Sequence, residues 1–176
     1  MANSKTPATN PSITPDPNVS VSIIRKAFLL EATANLFTIP LVTNTSWVLS
    51  LLLLHPQDIN PSSILFARLF GGIVIGGLTS ALLAGYTNTR NGIESRRPTY
   101  LMLGLGEALL IPLLVGEMVK DGGVDAAVSK KMAGASIAML LPPLLWRIYV
   151  LVVRPDLLGR YTEERGDYGS ISLRDE

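Results

Sequence analysis

The chain contains no cysteine and a single histidine, His55, in 176 residues. Without cysteine it has no disulfide, no thiolate metal site and no cysteine nucleophile, and it carries no redox evidence about its compartment. One imidazole also excludes a metal site built from clustered histidines. We therefore expect neither a bound metal ion nor a cofactor.

Charged residues are scarce as well. They make up 16% of the chain, whereas 48% of the residues are apolar and the mean hydropathy is +0.36. This apolar excess is too large for an ordinary water-exposed surface and indicates that the lipid bilayer is the main solvent. The net charge is only +1, and the basic residues are spread along the chain, so we expect no nucleic-acid binding.

Four apolar stretches each approach or exceed the roughly 20 residues that a helix needs to cross a bilayer. We predict an all-α fold, a four-transmembrane-helix bundle, in a single membrane domain over residues 22–155. The spans are predicted at 27–43, 64–86, 99–119 and 132–153. Residues 47–54 either continue the first span or form a short interfacial helix anchored by Trp47.

The polar segments outside these spans predict the orientation. Residues 1–21 are rich in Ser, Thr, Asn and Pro and are expected to be a disordered tail, and residues 156–176 a second polar tail. With four spans, both tails and the loop 87–98 share one side, which holds ten Lys and Arg residues against three on the other. The positive-inside rule then places both termini in the cytoplasm. We expect a multi-pass protein of the endoplasmic reticulum or another endomembrane.

Glycines concentrate in the second predicted span. Gly72 and Gly76 form a small-xxx-small pattern, which lets two helix backbones approach closely within a bilayer. We predict that they form a packing face. Its partner is another helix of the bundle, a second copy of the chain, or a different membrane protein.

Charged side chains inside the predicted spans are the main candidates for a site, because they are costly in hydrocarbon unless paired or hydrated. At a rise of about 1.5 Å per residue, Glu31, Arg147 and Glu107 lie roughly 6, 9 and 12 Å below the cytoplasmic end of their helices. We therefore predict that they meet. Asn35 follows Glu31 by one helical turn, so it shares its face and is expected to help receive the guanidinium.

Two interpretations of this cluster stay open. It is either an interhelical ion pair that fixes the order of the bundle, or a substrate-facing polar site. In the second case Glu31 and Glu107 are the candidate catalytic acids, and Asn35 and Arg147 are candidate binding residues.

Arg68 is a third candidate binding residue, and it enters the membrane from the opposite side. Its long side chain is expected to snorkel to that surface or to pair with Glu117 near the end of the third span. A structural role is the favoured interpretation.

Several features occur in a characteristic order. They are Arg25 at the start of the first span, Pro40, the segment Ala67-Arg68-x-x-Gly71-Gly72, a glutamate in the third span, and a last span that ends in Trp146-Arg147. In this respect residues 22–155 resemble the DoxX-like family of small four-helix membrane proteins. The resemblance implies a compact bundle and, for some members, a link to redox or lipophilic-metabolite pathways. The Ser/Thr/Pro-rich tail is similar to those of filamentous-fungal proteins, which implies a setting in secondary metabolism.

Three functions compete. The first is an accessory or binding protein that acts on a membrane partner or a lipophilic small molecule. The second is an intramembrane isomerase or cyclase that uses Glu31 or Glu107 as general acid on an apolar substrate. The third is a transporter or channel, which is disfavoured because four spans form a pore only by oligomerising.

Overall fold

The computed structural model describes residues 13–16, 21–120 and 125–163, and these are predominantly helical. The α-helices are α1 (Ser22–Asn35), α2 (Ile39–Thr43), α3 (Thr45–Leu52), α4 (Pro61–Gly72), α5 (Thr79–Tyr86), α6 (Arg90–Val119) and α7 (Lys130–Ile148). Ile73–Leu78 and Tyr149–Val153 are π-helical, and Leu36–Thr38, Pro56–Asp58 and Pro155–Leu158 are 3-10 helices. Two short strands, β1 (Ile13–Pro15) and β2 (Tyr161–Glu163), pair with each other.

Within the described residues, three helices are long and apolar enough to cross a membrane: Pro61–Tyr86, Arg90–Val119 and Lys130–Val153. They contain the second, third and fourth predicted spans. Large apolar side chains on their outer faces are exposed, for example Phe66 at 71% and Met139 at 78%. A surface of this kind suits lipid rather than water, which indicates a membrane protein.

The first predicted span is helical but interrupted. α1 passes through the Leu36–Thr38 turn into α2, and Asn44 ends this path with φ −133° and ψ 51°. Pro40 explains the interruption, because its ring lacks an N–H and clashes with the preceding turn of a regular α-helix. The path from Ser22 to Thr43 is still roughly 33 Å long at 1.5 Å per residue. α3 is a separate helix, which is one of the two forms predicted for residues 47–54.

α6, which contains the third predicted span, begins at Arg90, well before the predicted start of that span at Thr99. Thr89 caps it, because its side chain accepts a hydrogen bond from the Gly92 N–H at 3.2 Å. Ile93 and Arg96 on this first part are buried. The segment looked like a polar loop in the sequence because its composition does not reveal that these side chains pack inward.

The long helix Pro61–Tyr86, which comprises α4, a π-helical turn and α5, contacts different helices along its length. α5 packs against α1 and α6, whereas α4 packs against α2 and α3. The change occurs across the π-helical Ile73–Leu78, whose wider turn rotates the following helix faces. α6 lies along α7 over a long contact. The bundle is therefore tight near α5 and diverges near α4.

The tight end contains the buried core. We call this tight end of the bundle the terminal end. The helices α1 and α6 begin there, and α5 and the long helix Lys130–Val153 end there. Its core residues are Ile24, Phe28, Ala32, Leu82, Tyr100, Val150 and Leu158. The opposite end, with α3 and residues 117–120 and 125–130, is named the loop end.

Arg96 stabilises the terminal end through three hydrogen bonds. Its side chain is fully buried and donates to three backbone carbonyls: Gly85 at 2.7 Å, Leu158 at 2.8 Å and Thr87 at 3.0 Å. The guanidinium has five N–H donors in a fixed planar fork, so one side chain can hold several acceptors at once. Arg96 thereby joins the end of α5 to the start of α6 and to the segment after the fourth helix.

Parts of both predicted tails belong to the described residues. Ile13–Pro15 pairs antiparallel with Tyr161–Glu163, and Pro155–Leu158 forms a helical turn. The strand β1 lies within residues 1–21, for which disorder is predicted, while residues 1–12, 17–20 and 164–176 lie outside the described residues. Arg154 pairs with Asp156 at 2.8 Å and so holds the pKa of that carboxyl below its usual value.

Two loops are joined at the loop end. Leu53 forms an isolated antiparallel bridge with Val128, and the Leu54 N–H donates to the Ala127 carbonyl at 2.9 Å. The Ala127 N–H in turn donates to Glu117 Oε2 at 2.8 Å. The segment after α3 is therefore fixed to the segment that leads into α7.

The predicted packing face is wrong for contacts inside the bundle. A Cβ atom built on Gly72 or Gly76 meets nothing within 4 Å, so both glycines face outward. The close approaches are instead at Gly71, where a Cβ would lie 2.7 Å from Val42 Cγ2, and at Gly85, where it would collide with the Phe28 ring. Glycine spacing alone does not reveal which face of a helix is inside.

Gly85→Ala is therefore expected to destabilise the protein by about 1–3 kcal/mol, the usual cost of overpacking a core. The ring of Phe28 has no room to retreat, because it is fully buried and stacked on Tyr100 with ring centroids 4.5 Å apart. Gly72→Ala is the matched control and should be neutral or slightly stabilising, since alanine is the better helix former. Equal thermal unfolding temperatures of the two variants in detergent would contradict this assignment.

Candidate functional site

Arg147 is the centre of the only charged cluster that the sequence placed inside the spans, and its three predicted members do meet. Its Nη2 donates to Glu31 Oε2 at 2.5 Å, and its Nη1 pairs with Glu107 Oε1. The residue is 4% exposed. A Cβ on Gly104 would lie 3.7 Å from Arg147 Cδ, an ordinary van der Waals contact, so the aliphatic part of the Arg147 side chain packs beside Gly104 of α6.

Two aromatic residues complete the cluster, and the sequence interpretation missed both. The Tyr100 hydroxyl donates to Glu31 Oε1 at 3.3 Å and accepts from Trp146 Nε1 at 3.0 Å. The guanidinium of Arg147 also lies over the Tyr100 ring, 5.5 Å from its centroid. Tyr100, Gly104 and Glu107 are spaced i, i+4 and i+7, so helical periodicity could have placed them on one face.

Two buried polar atoms of the cluster have no hydrogen-bond partner among the described residues: Glu107 Oε2 and Arg147 Nε. One is an acceptor and the other a donor, and they belong to the two partners of one ion pair. Buried polar groups are almost always satisfied, and an unsatisfied one costs about 1–3 kcal/mol. Both atoms are buried and neither residue lines a groove in the described part of the chain, so a further polar molecule reaches them only if neighbouring side chains move.

Asn35 and Arg68 lie outside the cluster. Asn35 Nδ2 donates to Thr79 Oγ1 at 3.2 Å, so the expectation that it receives Arg147 is wrong. Arg68 Nε donates to Thr45 Oγ1 at 3.1 Å near the loop end. Of the two alternatives predicted for Arg68, the pair with Glu117 is wrong, because Glu117 pairs with Lys120 instead. Both candidates satisfy local hydrogen bonds between helices.

An apolar groove lies between α4 and the pair of α6 and α7, where the second helix has diverged. Its volume is about 550 Å³. It is lined by Phe70, Leu110, Leu113, Leu114, Glu117, Ser136, Met139 and Leu140. Several lining side chains are exposed on the outer surface, so the groove opens sideways toward the region that lipid would occupy.

The groove and the charged cluster share helix faces. Leu110 and Leu114 follow Glu107 by three and seven residues on α6, and Leu140 precedes Arg147 by seven on α7. Residues at these spacings lie on one side of a helix. The groove therefore runs from the loop end toward the ion pair.

In the parts of the chain that the structure describes, no group of three or more His, Asp or Glu side chains is placed to hold a metal ion. Comparison with known proteins gives no further assignment: no protein-family model, no curated protein and no solved structure matches the chain. The DoxX-like resemblance stays a prediction.

Proposed function

We propose that this is a four-span membrane protein that binds a lipophilic small molecule, with the polar head of the ligand at the Glu31–Arg147–Glu107 cluster. The observation that carries this proposal is the pair of buried, unpartnered atoms, Glu107 Oε2 and Arg147 Nε. If the ion pair only held the bundle together, all of its buried polar atoms would be expected to have hydrogen-bond partners, because each unpaired atom lowers stability.

The proposal of a fourth span is supported by the helical path from Ser22 to Thr43. Its roughly 33 Å matches a hydrocarbon core about 30 Å thick. It also carries Glu31, whose contact with Arg147 links it to the last helix. The orientation with both termini in the cytoplasm, and residence in an endomembrane, remain part of the same proposal.

The groove supports an apolar ligand. Its volume of about 550 Å³ falls within the roughly 300–1,000 Å³ that is usual for small-molecule sites. Such sites are mostly apolar with a few placed polar groups that fix the orientation of the ligand. Here the polar groups lie beyond one end of the groove.

Trp146 provides a direct test, because the chain has only two tryptophans. In Trp47→Phe protein the emission comes from Trp146, whose indole belongs to the cluster. The probe is dodecanol that carries bromine on the carbon next to the hydroxyl, since bromine quenches a tryptophan on contact. We expect saturable quenching that unlabelled dodecanol reverses.

The control is Trp146→Phe protein, in which Trp47 reports from the exposed surface. Its quenching should rise in proportion to the probe, without saturation, because the probe only partitions into the detergent micelle. Glu107→Met should abolish saturable quenching in the Trp47→Phe background, whereas Glu94→Met, an exposed position on the same helix, should not. Identical, non-saturable quenching curves for the two single-tryptophan proteins would contradict the proposal.

The alternative function is an isomerase or cyclase in which Glu31 or Glu107 acts as general acid. The same unpartnered oxygen, Glu107 Oε2, favours it, since a general acid needs an oxygen that no protein group already engages. Accumulation of one precursor in a deletion strain and equally in Glu31→Gln and Glu107→Gln strains would distinguish an enzyme from a binding protein. The outward glycines Gly72 and Gly76 keep open a contact with a second copy or a membrane partner.

A further inference from the structure

We infer that the groove between α4 and the α6–α7 pair holds one acyl chain of a phospholipid from the bilayer leaflet at the loop end, with the phosphate at Lys120, Lys130 and Lys131. This goes beyond the proposed function, because the phospholipid is a second molecule that makes no contact with the charged cluster. It occupies the groove when the lipophilic ligand is absent.

The lining of the groove requires an apolar occupant. All of its lining side chains except Glu117 and Ser136 are apolar. Water is not stabilised in an apolar space of this kind, and an empty space loses the dispersion contacts of the atoms that line it. In the proposed membrane arrangement the lateral opening faces hydrocarbon chains. A lipid chain therefore fills the groove by moving sideways out of the bilayer.

The groove matches one leaflet of the bilayer in length. On α6 its lining runs from Leu110 to Glu117, which is roughly 10 Å at 1.5 Å per residue. Half of a hydrocarbon core about 30 Å thick is about 15 Å. Because α6 ends at Val119, only two residues beyond Glu117, the groove lies in the half of the membrane next to the loop end. The lipid therefore comes from that leaflet.

The two polar side chains of the lining lie at the same level of the bundle. A Cβ atom built on Gly134 would lie 3.8 Å from Met118 Cε, which places these two residues of α7 and α6 side by side. Glu117 precedes Met118 by one residue, about 1.5 Å along the helix. Ser136 follows Gly134 by two residues, about 3 Å in the same direction. Polar groups therefore meet at the loop end of the groove, and the path from there toward Leu110 is apolar.

Three lysines stand beyond these polar groups at the loop end. Lys120 pairs with Glu117, and its side chain is 42% exposed. By the same pairing of α6 with α7, Lys120 lies near the first turn of α7, which begins with Lys130 and Lys131. Both of these are exposed and have no ion-pair partner among the described residues. A phosphate at this position gains charge-assisted hydrogen bonds.

The chemical groups along the groove follow the order that a phospholipid requires. The apolar lining accepts an acyl chain, the Ser136 hydroxyl donates to an ester carbonyl, and the lysines pair with the phosphate. Glu117 does not stand as a free anion beside the phosphate, because its Oε1 pairs with Lys120 and its Oε2 accepts from the Ala127 N–H at 2.8 Å. A neutral lipid leaves the lysines without an anion, so the phosphate decides the class of lipid.

The experiment titrates the full chain in detergent with dioleoylphosphatidylcholine or with dioleoylglycerol, and native mass spectrometry counts the bound molecules. Dioleoylglycerol has the same chains and esters but no phosphate. We expect one phosphatidylcholine per chain at saturation, with an affinity at least about tenfold higher than that of dioleoylglycerol.

The position of the phosphate is tested by replacing the three loop-end lysines together, in a Lys120→Met, Lys130→Met, Lys131→Met protein. The preference for phosphatidylcholine should disappear while binding of dioleoylglycerol stays unchanged, because only the phosphate contacts these cations. The matched control replaces three exposed basic residues at the terminal end with methionine. They are Lys26, Arg97 and Arg160. This control removes the same charge and should keep the preference.

The position of the acyl chain is tested with Ser136→Phe, which places a ring in the groove, beside Ser80→Phe at an exposed position of α5. The first should weaken binding of both lipids at least about tenfold, and the second should leave it unchanged. If Ser136→Phe binds phosphatidylcholine like the wild type, or the three-lysine variant keeps the preference, the inference is overturned.

Two further outcomes separate this inference from its neighbours. A Ser136→Phe protein that changes from dimer to monomer would show that a second copy of the chain fills the groove, which also overturns the inference. Saturable quenching of Trp146 by the brominated probe without saturable binding of phosphatidylcholine would leave the proposed function standing and refute the lipid site. The reverse result would support the lipid site and refute the proposed function.

Discussion

Arg147→Met is expected to reduce the free energy of unfolding by about 3–5 kcal/mol, as is usual when one partner of a buried ion pair is removed. The substitution keeps much of the volume of the side chain but leaves Glu31 and Glu107 buried without their shared cation. Two neighbouring carboxylates then repel each other where little water can screen them. The measurement is reversible unfolding of the purified protein in mixed micelles.

The same measurement over a mutant cycle separates a true cluster from three independent residues. Glu107→Gln alone should destabilise the protein, because it removes a partner of a buried guanidinium. Combined with Arg147→Met it should do less harm than the sum of the two changes, since no orphaned charge remains at that position. Adding Glu31→Gln should recover further stability. Strict additivity across the cycle would mean that these side chains do not interact.

Arg154→Met is the matched control for the loss of an arginine ion pair. Arg154 pairs with Asp156 at 2.8 Å, but both side chains are nearly half exposed. Exposed pairs contribute little, because water already solvates both charges. Its unfolding should therefore match that of the wild type, which attributes the effect of Arg147→Met to burial rather than to the number of salt bridges.

Arg96→Met is expected to have the second large effect, a loss of several kcal/mol, since each hydrogen bond to a charged group is worth about 1.5–3 kcal/mol. Three carbonyls, those of Gly85, Thr87 and Leu158, lose their donor at once. Methionine fills much of the space and offers no N–H in return. Limited proteolysis after residue 154 should also accelerate, because Arg96 holds the following segment through the Leu158 carbonyl.

Arg97→Met controls for the loss of a basic residue on the same turn of α6. Arg97 is exposed, so its replacement should leave both unfolding and proteolysis unchanged. An Arg96→Met protein that unfolds and is cleaved like Arg97→Met would show that the terminal end is held by other contacts.

The sequence was most informative where a physical requirement of the bilayer permits only one kind of structure. Apolar stretches longer than a bilayer core predicted the helices that hold the second to fourth spans, because a buried backbone must satisfy its own hydrogen bonds. The cost of charge in hydrocarbon likewise predicted that Glu31, Glu107 and Arg147 meet. Each of these predictions needed only the distance along a helix.

The predictions that were wrong depend on which neighbour a side chain finds. Asn35 could equally bond Arg147 or Thr79, and the choice is set by the rotation of α1 against α5. Tyr100 and Trp146 have the composition of a membrane-interface belt, and only tertiary packing turns them toward Glu31. The outward direction of Gly76 likewise depends on the π-helical turn in which it lies.

The ion pair between Glu31 and Arg147 joins residues 116 positions apart. At a synthesis rate of about 5–20 residues per second, Arg147 is made roughly 6–23 s after Glu31. In the proposed four-span arrangement, the Glu31 carboxylate of the first helix therefore has no Arg147 partner in the membrane until the last helix has been synthesised and inserted. The nascent protein has no complete cluster during that interval, so truncated or stalled chains would display an acidic group that finished molecules conceal, a chemical mark of unfinished assembly.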